Sequence, residues 1–156
     1  SAVKRHPPPV RTFGLTHLAL AVRDPQRSLR FYHQVLGVIA ICQSEDFVQA
    51  QTPGSRDVLV FERESGLAGK AGGIVHFGFR LQRAADIDSA RAAIEAAVGV
   101  VRRQGEFVAG EPYLFFADPD GYEVEIWYEL PTPVDPPASP ASASRGRRGT
   151  PATGCR

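Results

Sequence analysis

Two segments of the chain repeat one short pattern, and this repeat limits the folds that the chain can adopt. Residues 14–22, GLTHLALAV, and residues 73–81, GIVHFGFRL, both read Gly-x-x-His followed by alternating positions. Apolar, β-branched and aromatic residues dominate both segments, which predicts a strand in each. The chain is therefore expected to build its fold twice from one structural unit.

A predicted helix follows each of these strands. Asp24 is placed to cap the first helix, and Gly37 is placed to end it in a left-handed conformation. Asp86 or Asp88 is expected to cap the second helix, and Gly99 to end it. The pattern predicts the order βαβββ in both halves. Three strand-like runs complete each half: 38–42, 47–51 and 58–62 in the first, and 100–103, 113–117 and 122–128 in the second.

The two ends of the chain differ from its middle in composition. Residues 1–11 are polar and rich in proline, and residues 131–156 consist mainly of Pro, Ala, Ser and Arg. Such segments bury too little apolar surface to offset the entropy of ordering, so we expect disorder at both ends. A single domain is predicted over 12–130, with modules at 12–64 and 73–130 joined by a glycine-rich linker.

The overall composition excludes several classes of partner. The formal net charge is +1, which gives no global attraction to nucleic acid or to an acidic membrane. No window approaches the ~20 apolar residues that a membrane span requires. The cysteines Cys42 and Cys155 are too few for a disulfide framework or a thiolate metal site, so a cytoplasmic protein is the default expectation. We expect a small-molecule substrate, with no nucleic acid and no membrane as partners.

The two repeated histidines, His17 and His76, occupy equivalent places in equivalent strands. Side chains two positions apart share a strand face, so the small residues Ala19 and Gly78 leave room beside the imidazoles. A pseudo-twofold axis would bring both histidines to one cleft, and Glu125 would complete a two-histidine, one-carboxylate metal set. The competing interpretation is two ordinary strand histidines and a solvent-facing glutamate, and the pattern alone leaves both open.

The segments 14–37 and 115–126 together resemble a known family. The first continues from its histidine strand into Asp-Pro-x-x-Ser-Leu-x-Phe-Tyr-x-x-Val-Leu-Gly, and the second reads FFADPDGYEVEI. They are similar to the opening module and to the closing Asp-Pro-Asp-Gly signature of the vicinal oxygen chelate superfamily. That superfamily includes glyoxalase I, extradiol dioxygenases, fosfomycin-resistance transferases and bleomycin-resistance proteins. The resemblance implies an α+β fold in which two βαβββ modules form a cupped, mixed-sheet half-barrel around a metal, commonly in a homodimer.

The resemblance also implies a set of metal ligands. His17 matches the ligand of the first strand, His76 matches its counterpart in the second module, and Glu125 matches the ligand of the last strand. Glu123 is the rival ligand if the register of that strand is shifted, and is otherwise a candidate substrate-binding residue. The implied cofactor is one divalent metal ion: Fe, Mn, Zn or Ni.

Further residues are candidates for contact with a substrate. Tyr113 is placed to line the cleft as a proton donor, and its alternative role is core packing. Arg80 shares a strand face with His76 and is placed to hold an anionic group, unless it is a strand-end arginine in solvent. Glu125 is also a catalytic candidate, because a carboxylate beside the metal can carry protons.

The function that the resemblance implies is a metal-dependent enzyme acting on a small oxygenated molecule, either a dioxygenase or a lyase or isomerase. Glyoxalase I-like enzymes usually add a carboxylate in the last strand of the first module. Here that stretch is VLVF at 58–61, and Glu62 follows slightly late. The alternative is a drug-sequestering protein of the bleomycin-resistance type. Whether the modules pair within one chain or between two chains stays open.

Overall fold

The structure is a computed structural model that describes residues 11–137. It contains the predicted βαβββ order twice. The first module consists of β1 (His17–Val22), α1 (Pro25–Leu36), β2 (Ile39–Gln43), β3 (Phe47–Gln51) and β4 (Val58–Arg63). The second consists of β5 (Phe77–Arg80), a 3₁₀ turn (Ala84–Asp86), α2 (Ile87–Ala96), β6 (Val100–Glu106), β7 (Pro112–Ala117) and β8 (Glu123–Trp127). Neither described helix has the length and apolar character needed to cross a bilayer.

Each module forms its own four-stranded mixed sheet, so the α+β prediction is confirmed. The strand order is β1-β4-β3-β2 in the first sheet and β5-β8-β7-β6 in the second. The β1–β4 and β5–β8 pairs are parallel, and the remaining pairs are antiparallel. Over residues 11–137 the two sheets stay separate and do not close into a barrel. The matching orders make the modules structural repeats of each other.

Both helices lie on the same side of the sheets and share one hydrophobic core. Alternate side chains of the strands, such as Leu20 in β1 and Ile126 in β8, point into this core. Phe31 of α1 reaches Phe116 of β7, with ring centroids 6.0 Å apart, so the core is continuous across the modules. The opposite side chains of each strand face away from the helices, and we call this side the open face.

The end residues of α1 act as the sequence predicts. The Asp24 side chain accepts hydrogen bonds from the backbone N–H groups of Gln26 and Arg27, at 3.0 and 3.3 Å. Gly37 ends the helix with φ of 72°, a left-handed conformation that costs glycine little.

The predictions for the ends of α2 are correct only in part. Asp86 occupies the N-cap position, but its carboxylate binds the Arg83 guanidinium instead of the helix backbone. The left-handed residue is Val98, with φ of 64°, and not Gly99. Gly99 is required for a different reason, because a Cβ there would lie 2.7 Å from the side chain of Ile94.

Two aspartates of the Asp-Pro-Asp-Gly turn connect the second module to the first. The buried Asp120 carboxylate accepts hydrogen bonds from the backbone and guanidinium of Arg23 and from Arg27. Tyr32 in α1 donates its hydroxyl to Asp118 at 2.7 Å. Burial raises the pKa of Asp118, and burial together with the Asp118 charge raises the pKa of Tyr32 well above its usual value. This motif therefore has a structural role in joining the modules.

The strands are shorter than the repeated sequence pattern predicts. β1 begins at His17, and β5 begins at Phe77, so His76 lies immediately before its strand. Beyond β8, Thr132 and Asp135 form a hydrogen-bonded turn that contacts Arg80. The predicted disorder of 1–11 and 131–156 stays a prediction, because residues 1–10 and 138–156 lie outside the described part of the chain.

Candidate metal and substrate site

Two of the predicted metal ligands meet on the open face of the second sheet. Nε2 of His76 lies 3.2 Å from Oε2 of Glu125. Glu125 is 8% exposed, and its other oxygen, Oε1, is buried without a hydrogen-bond partner among the described residues. A buried, unpaired carboxylate oxygen is costly, so the arrangement is suited to a ligand that is cationic or donates a hydrogen bond.

The register of the second sheet explains why Glu125 reaches this position. β8 runs parallel to β5 with Glu125 opposite Gly78. His76, which directly precedes β5, therefore lies close enough to contact the Glu125 side chain. A Cβ on Gly78 would lie 3.1 Å from the Glu125 carbonyl oxygen and 3.2 Å from its Cβ, so glycine makes room here. Glu123 also faces this side, but within residues 11–137 it forms no ion pair with His76. The contact favours Glu125 over Glu123 as the ligand.

The first module has the histidine of this arrangement but not its carboxylate. Its register pairs Ala19 with Val60, as the second pairs Gly78 with Glu125, so Val60 is the structural counterpart of Glu125. Glu62 pairs with Ala21, two residues further along, and is exposed. A fourth, glyoxalase I-like carboxylate is therefore missing from the first module. His17, at the start of β1, is the counterpart of His76.

The histidines line different grooves between the edge strands β1 and β5. His17 lies in a groove of about 270 Å³ that continues to Arg80 at the far end of β5. His76 and Glu123 lie in a second groove of about 490 Å³, which continues along β1 to Ala21. His17 and His76 therefore lie at opposite ends of the space between β1 and β5. Within residues 11–137 of one chain, no group of three His, Cys, Asp or Glu side chains is placed to hold a metal ion.

Aromatic side chains form a wall beside the His76–Glu125 pair. The Phe115 ring meets the His76 ring edge-on, with centroids 5.0 Å apart. Tyr113 is stacked against Phe107 with centroids 4.1 Å apart, and lies 5.6 Å from Phe115. Tyr113 thus lies on the open face, close to the predicted ligands but not in contact with them. Its role as proton donor and substrate contact stays a prediction.

Arg80 is on the open face, but its charge is already neutralised within the chain. Its guanidinium binds both oxygens of Asp135, at 3.0 and 2.9 Å, and the carbonyl oxygens of Glu129 and Leu130. The Arg80 contact holds the pKa of Asp135 well below its usual range. An anionic substrate at Arg80 would have to displace this carboxylate.

Sequence reasoning missed Phe115 and Arg103 as members of this surface. Arg103 places its guanidinium carbon 4.1 Å from the centroid of the Phe115 ring. It reaches the open face because of a β-bulge between Val101 and Arg103. Strict alternation from Val101, a core residue, would have placed residue 103 on the helix side. A bulge shifts that alternation, and no pattern in the sequence marks it.

The fold agrees with the comparisons with known proteins. The profile of the Glyoxalase/Bleomycin resistance protein/Dioxygenase superfamily matches residues 14–126. The match spans most of the chain, which therefore belongs to this superfamily, the group known for vicinal oxygen chelation.

Solved structures share the fold at low sequence identity. A glyoxalase-related enzyme from Fulvimarina pelagi is 20% identical, with a TM-score of 0.63 over 76% of this chain and 89% of that one. Lactoylglutathione lyase from Agrobacterium tumefaciens is 20% identical, with a TM-score of 0.59 over 75% and 94%. The fosfomycin resistance protein FosX from Listeria monocytogenes is 17% identical, with a TM-score of 0.65 over 77% and 96%. No curated protein matches the chain.

Proposed function

We propose that this chain is a divalent-metal-dependent enzyme whose metal site is shared between two copies. His17 of one copy and His76 and Glu125 of the other would hold the ion. The observation that carries the proposal is the contact of His76 with Glu125, whose second oxygen is buried and unpaired. This contact supplies two ligands of a set that needs a third.

The repeat of the modules supports sharing between two chains. Each chain presents a half-site with His17 and Val60 and a half-site with His76 and Glu125 on the same open face. His17 shares its groove with Arg80, which is about four residues from His76 along β5. Because strand residues rise about 3.3 Å each, the two histidines of one chain are separated by roughly 13 Å. Face-to-face pairing about a twofold axis would place each His17 opposite the partner's second module and create two equivalent sites.

The donor set suits the proposed ion. Two neutral imidazoles and one carboxylate leave coordination positions open, which suits Fe, Mn, Zn or Ni. When bound, such an ion acts as a Lewis acid on two neighbouring oxygens of a small molecule. Glu125 is the described group best placed to accept a proton beside the ion. Tyr113 and the neighbouring aromatic rings would exclude water from one side.

The number of ligands limits the reaction classes that we propose. Val60 at the counterpart position argues against a fourth ligand, and so against the ligand set of glyoxalase I. The proposed chemistry is a dioxygenase reaction or a lyase or isomerase reaction on a small oxygenated substrate. Homodimerisation and a cytoplasmic location are parts of the same proposal.

A second candidate function is sequestration of a drug-like molecule, as in bleomycin-resistance proteins. The aromatic wall formed by Phe107, Tyr113 and Phe115 favours this alternative, because such surfaces bind flat apolar molecules. In this case the protein would bind its ligand without a metal ion, so metal content separates the two candidates.

The proposal is tested by metal analysis of the wild type and of His17→Ala and Glu125→Ala, purified without added metal. The wild type is expected to hold nearly one ion per chain, and each variant very little. The two variants are then unfolded and refolded together. If sites are shared, half of the dimers are mixed and each regains one site, which restores about a quarter of the wild-type metal content.

Two outcomes would contradict parts of the proposal. If mixing restores no metal, the ligands do not come from two chains. If the wild type holds no metal and takes none up on reconstitution, the enzyme proposal fails and sequestration becomes the better hypothesis.

A further inference from the structure

One row of residues crosses the open face of the second sheet from the predicted metal ligands to its edge. Gly78 in β5 pairs with Glu125 in β8, Glu125 pairs with Phe115 in β7, and Phe115 pairs with Arg103 in β6. The row therefore has a predicted ligand in one central strand and a guanidinium in the edge strand. With strands about 4.8 Å apart, the Cα atoms of Glu125 and Arg103 are separated by roughly 10 Å.

The Arg103 side chain is held in this direction by two features of the chain. The β-bulge between Val101 and Arg103 turns the residue to the open face. The guanidinium then lies over the Phe115 ring, with 4.1 Å between its carbon and the ring centroid. The same ring contacts His76. Phe115 therefore positions the arginine relative to the predicted metal ligands.

The guanidinium of Arg103 has no acidic partner within residues 11–137. Several other arginines do have one: Arg23 and Arg27 bind Asp120, Arg63 binds Asp46, and Arg80 binds Asp135. Arg56, which lies over the Phe13 ring, resembles Arg103 in having no ion pair among the described residues, but it belongs to the first module. Arg80 is the other arginine of this open face named above, and its bidentate contact with Asp135 fills the fork that a substrate carboxylate would use. The Arg103 side chain donates no hydrogen bond to another described residue, so its N–H groups stay available beside the Phe115 ring.

We propose that Arg103 is the residue that binds an anionic group of the substrate, which makes the ligand of this site a small organic acid. Its carboxylate lies at Arg103, and its two neighbouring oxygens point toward His76 and Glu125. This inference rests on the proposed metal function, and it assigns the anion-binding role to Arg103 in place of Arg80. The guanidinium recognises a carboxylate through paired, charge-assisted hydrogen bonds.

The test compares two probes that differ in one group, 3,4-dihydroxybenzoate and catechol. Both present neighbouring oxygens, and only the first has a carboxylate. Calorimetric titration of the zinc-loaded protein is expected to show at least about tenfold tighter binding of 3,4-dihydroxybenzoate, the size of effect typical of a hydrogen bond to a charged group. In Arg103→Gln this preference is expected to fall to about twofold or less, with the zinc content unchanged.

Two control variants test whether the effect is specific to Arg103. Arg102→Gln removes the same charge from the adjacent position of the same strand and is expected to keep the wild-type preference. Arg80→Gln is expected to keep it as well, because Arg80 is bound by Asp135. Arg103→Lys retains the charge but not the planar fork, and an intermediate preference is expected. Circular dichroism of each variant checks that the fold is intact.

Several results would overturn the assignment. These are equal affinity of the wild type for both probes, an undiminished preference in Arg103→Gln, or an equal loss in Arg102→Gln or Arg80→Gln. If the wild type takes up no zinc, the metal function fails separately, and the same titrations are made on the metal-free protein. A carboxylate preference that Arg103→Gln abolishes would then still support the arginine site, and the lack of such a preference would refute it.

Discussion

Replacement of Tyr32 by phenylalanine tests the buried contact that joins the two modules. The Tyr32 side chain is fully buried, and its hydroxyl donates to Asp118 at 2.7 Å. Hydrogen bonds to charged groups contribute about 1.5–3 kcal/mol to stability. Asp118 keeps two further donors, the backbone N–H groups of Asp120 and Tyr122, so we expect a loss of about 2 kcal/mol at neutral pH. For a domain of this size, that loss lowers the Tm by about 6–8 °C.

The cost of Tyr32→Phe is expected to depend on pH. Burial raises the pKa of Asp118, and the Tyr32 hydrogen bond opposes that rise, so the pKa increases further in the variant. A carboxyl whose pKa is raised by folding makes the fold less stable as pH rises above its unfolded value of about 4. The deficit of the variant is therefore largest near pH 7 and becomes smaller as pH falls toward 4, where Asp118 takes up a proton.

The assay is urea unfolding at pH 7 and pH 4, with the protein concentration held constant because dimerisation would shift the midpoint. Tyr122→Phe is the matched control, since its hydroxyl donates to the neutral carbonyl of Ala21 at 2.8 Å. We expect a loss of about 1 kcal/mol for this control, without pH dependence in this range. Equal losses for Tyr32→Phe at both pH values, or losses no larger than those of the control, would refute the reasoning.

Two other substitutions test the site and the helix start. Gly78→Ala places a methyl group against the backbone of Glu125, so we expect metal affinity to fall about tenfold, as for altered supporting groups of metal sites. Gly66→Ala, in open surroundings, should leave the affinity unchanged, and the same affinity in both variants would argue against the predicted ligand. Asp24→Ala removes the acceptor for two helix N–H groups and is expected to cost about 1 kcal/mol in urea unfolding. Asp86→Ala should cost less, because Asp86 accepts no such bond.

Much of the fold could be predicted from local sequence signals. The alternation in the strands and the capping residues Asp24 and Gly37 act over a few residues, so they indicate element type and order directly. The end of α2 was not predictable in this way. Gly99 lies there because of its close approach to Phe31 and Ile94, a packing requirement that leaves the left-handed conformation to Val98.

The predicted metal ligands, too, follow partly from local sequence patterns and partly from the tertiary structure. The repeat identifies His17 and His76 as equivalent, and alternation places Glu125 on one face of its strand. That face also contains Glu123, and only the pairing of β8 with β5 brings Glu125 beside His76. In the first module, the register likewise shows that Val60, and not Glu62, is the counterpart of Glu125. A register shift of two residues keeps the face and changes the neighbour, so alternation cannot distinguish these pairs.

The sequence by itself determined the doubled βαβββ order and, outside the β-bulges, the side of a strand that carries polar side chains. Both depend on short-range geometry, the period of a strand or helix and the conformations of its ends. Only the tertiary structure decided that His17 lies apart from His76 within one chain, that Asp135 neutralises Arg80, and that a bulge turns Arg103 to the open face. These features depend on strand register and on contacts between residues distant in the chain, whose energies no local pattern records.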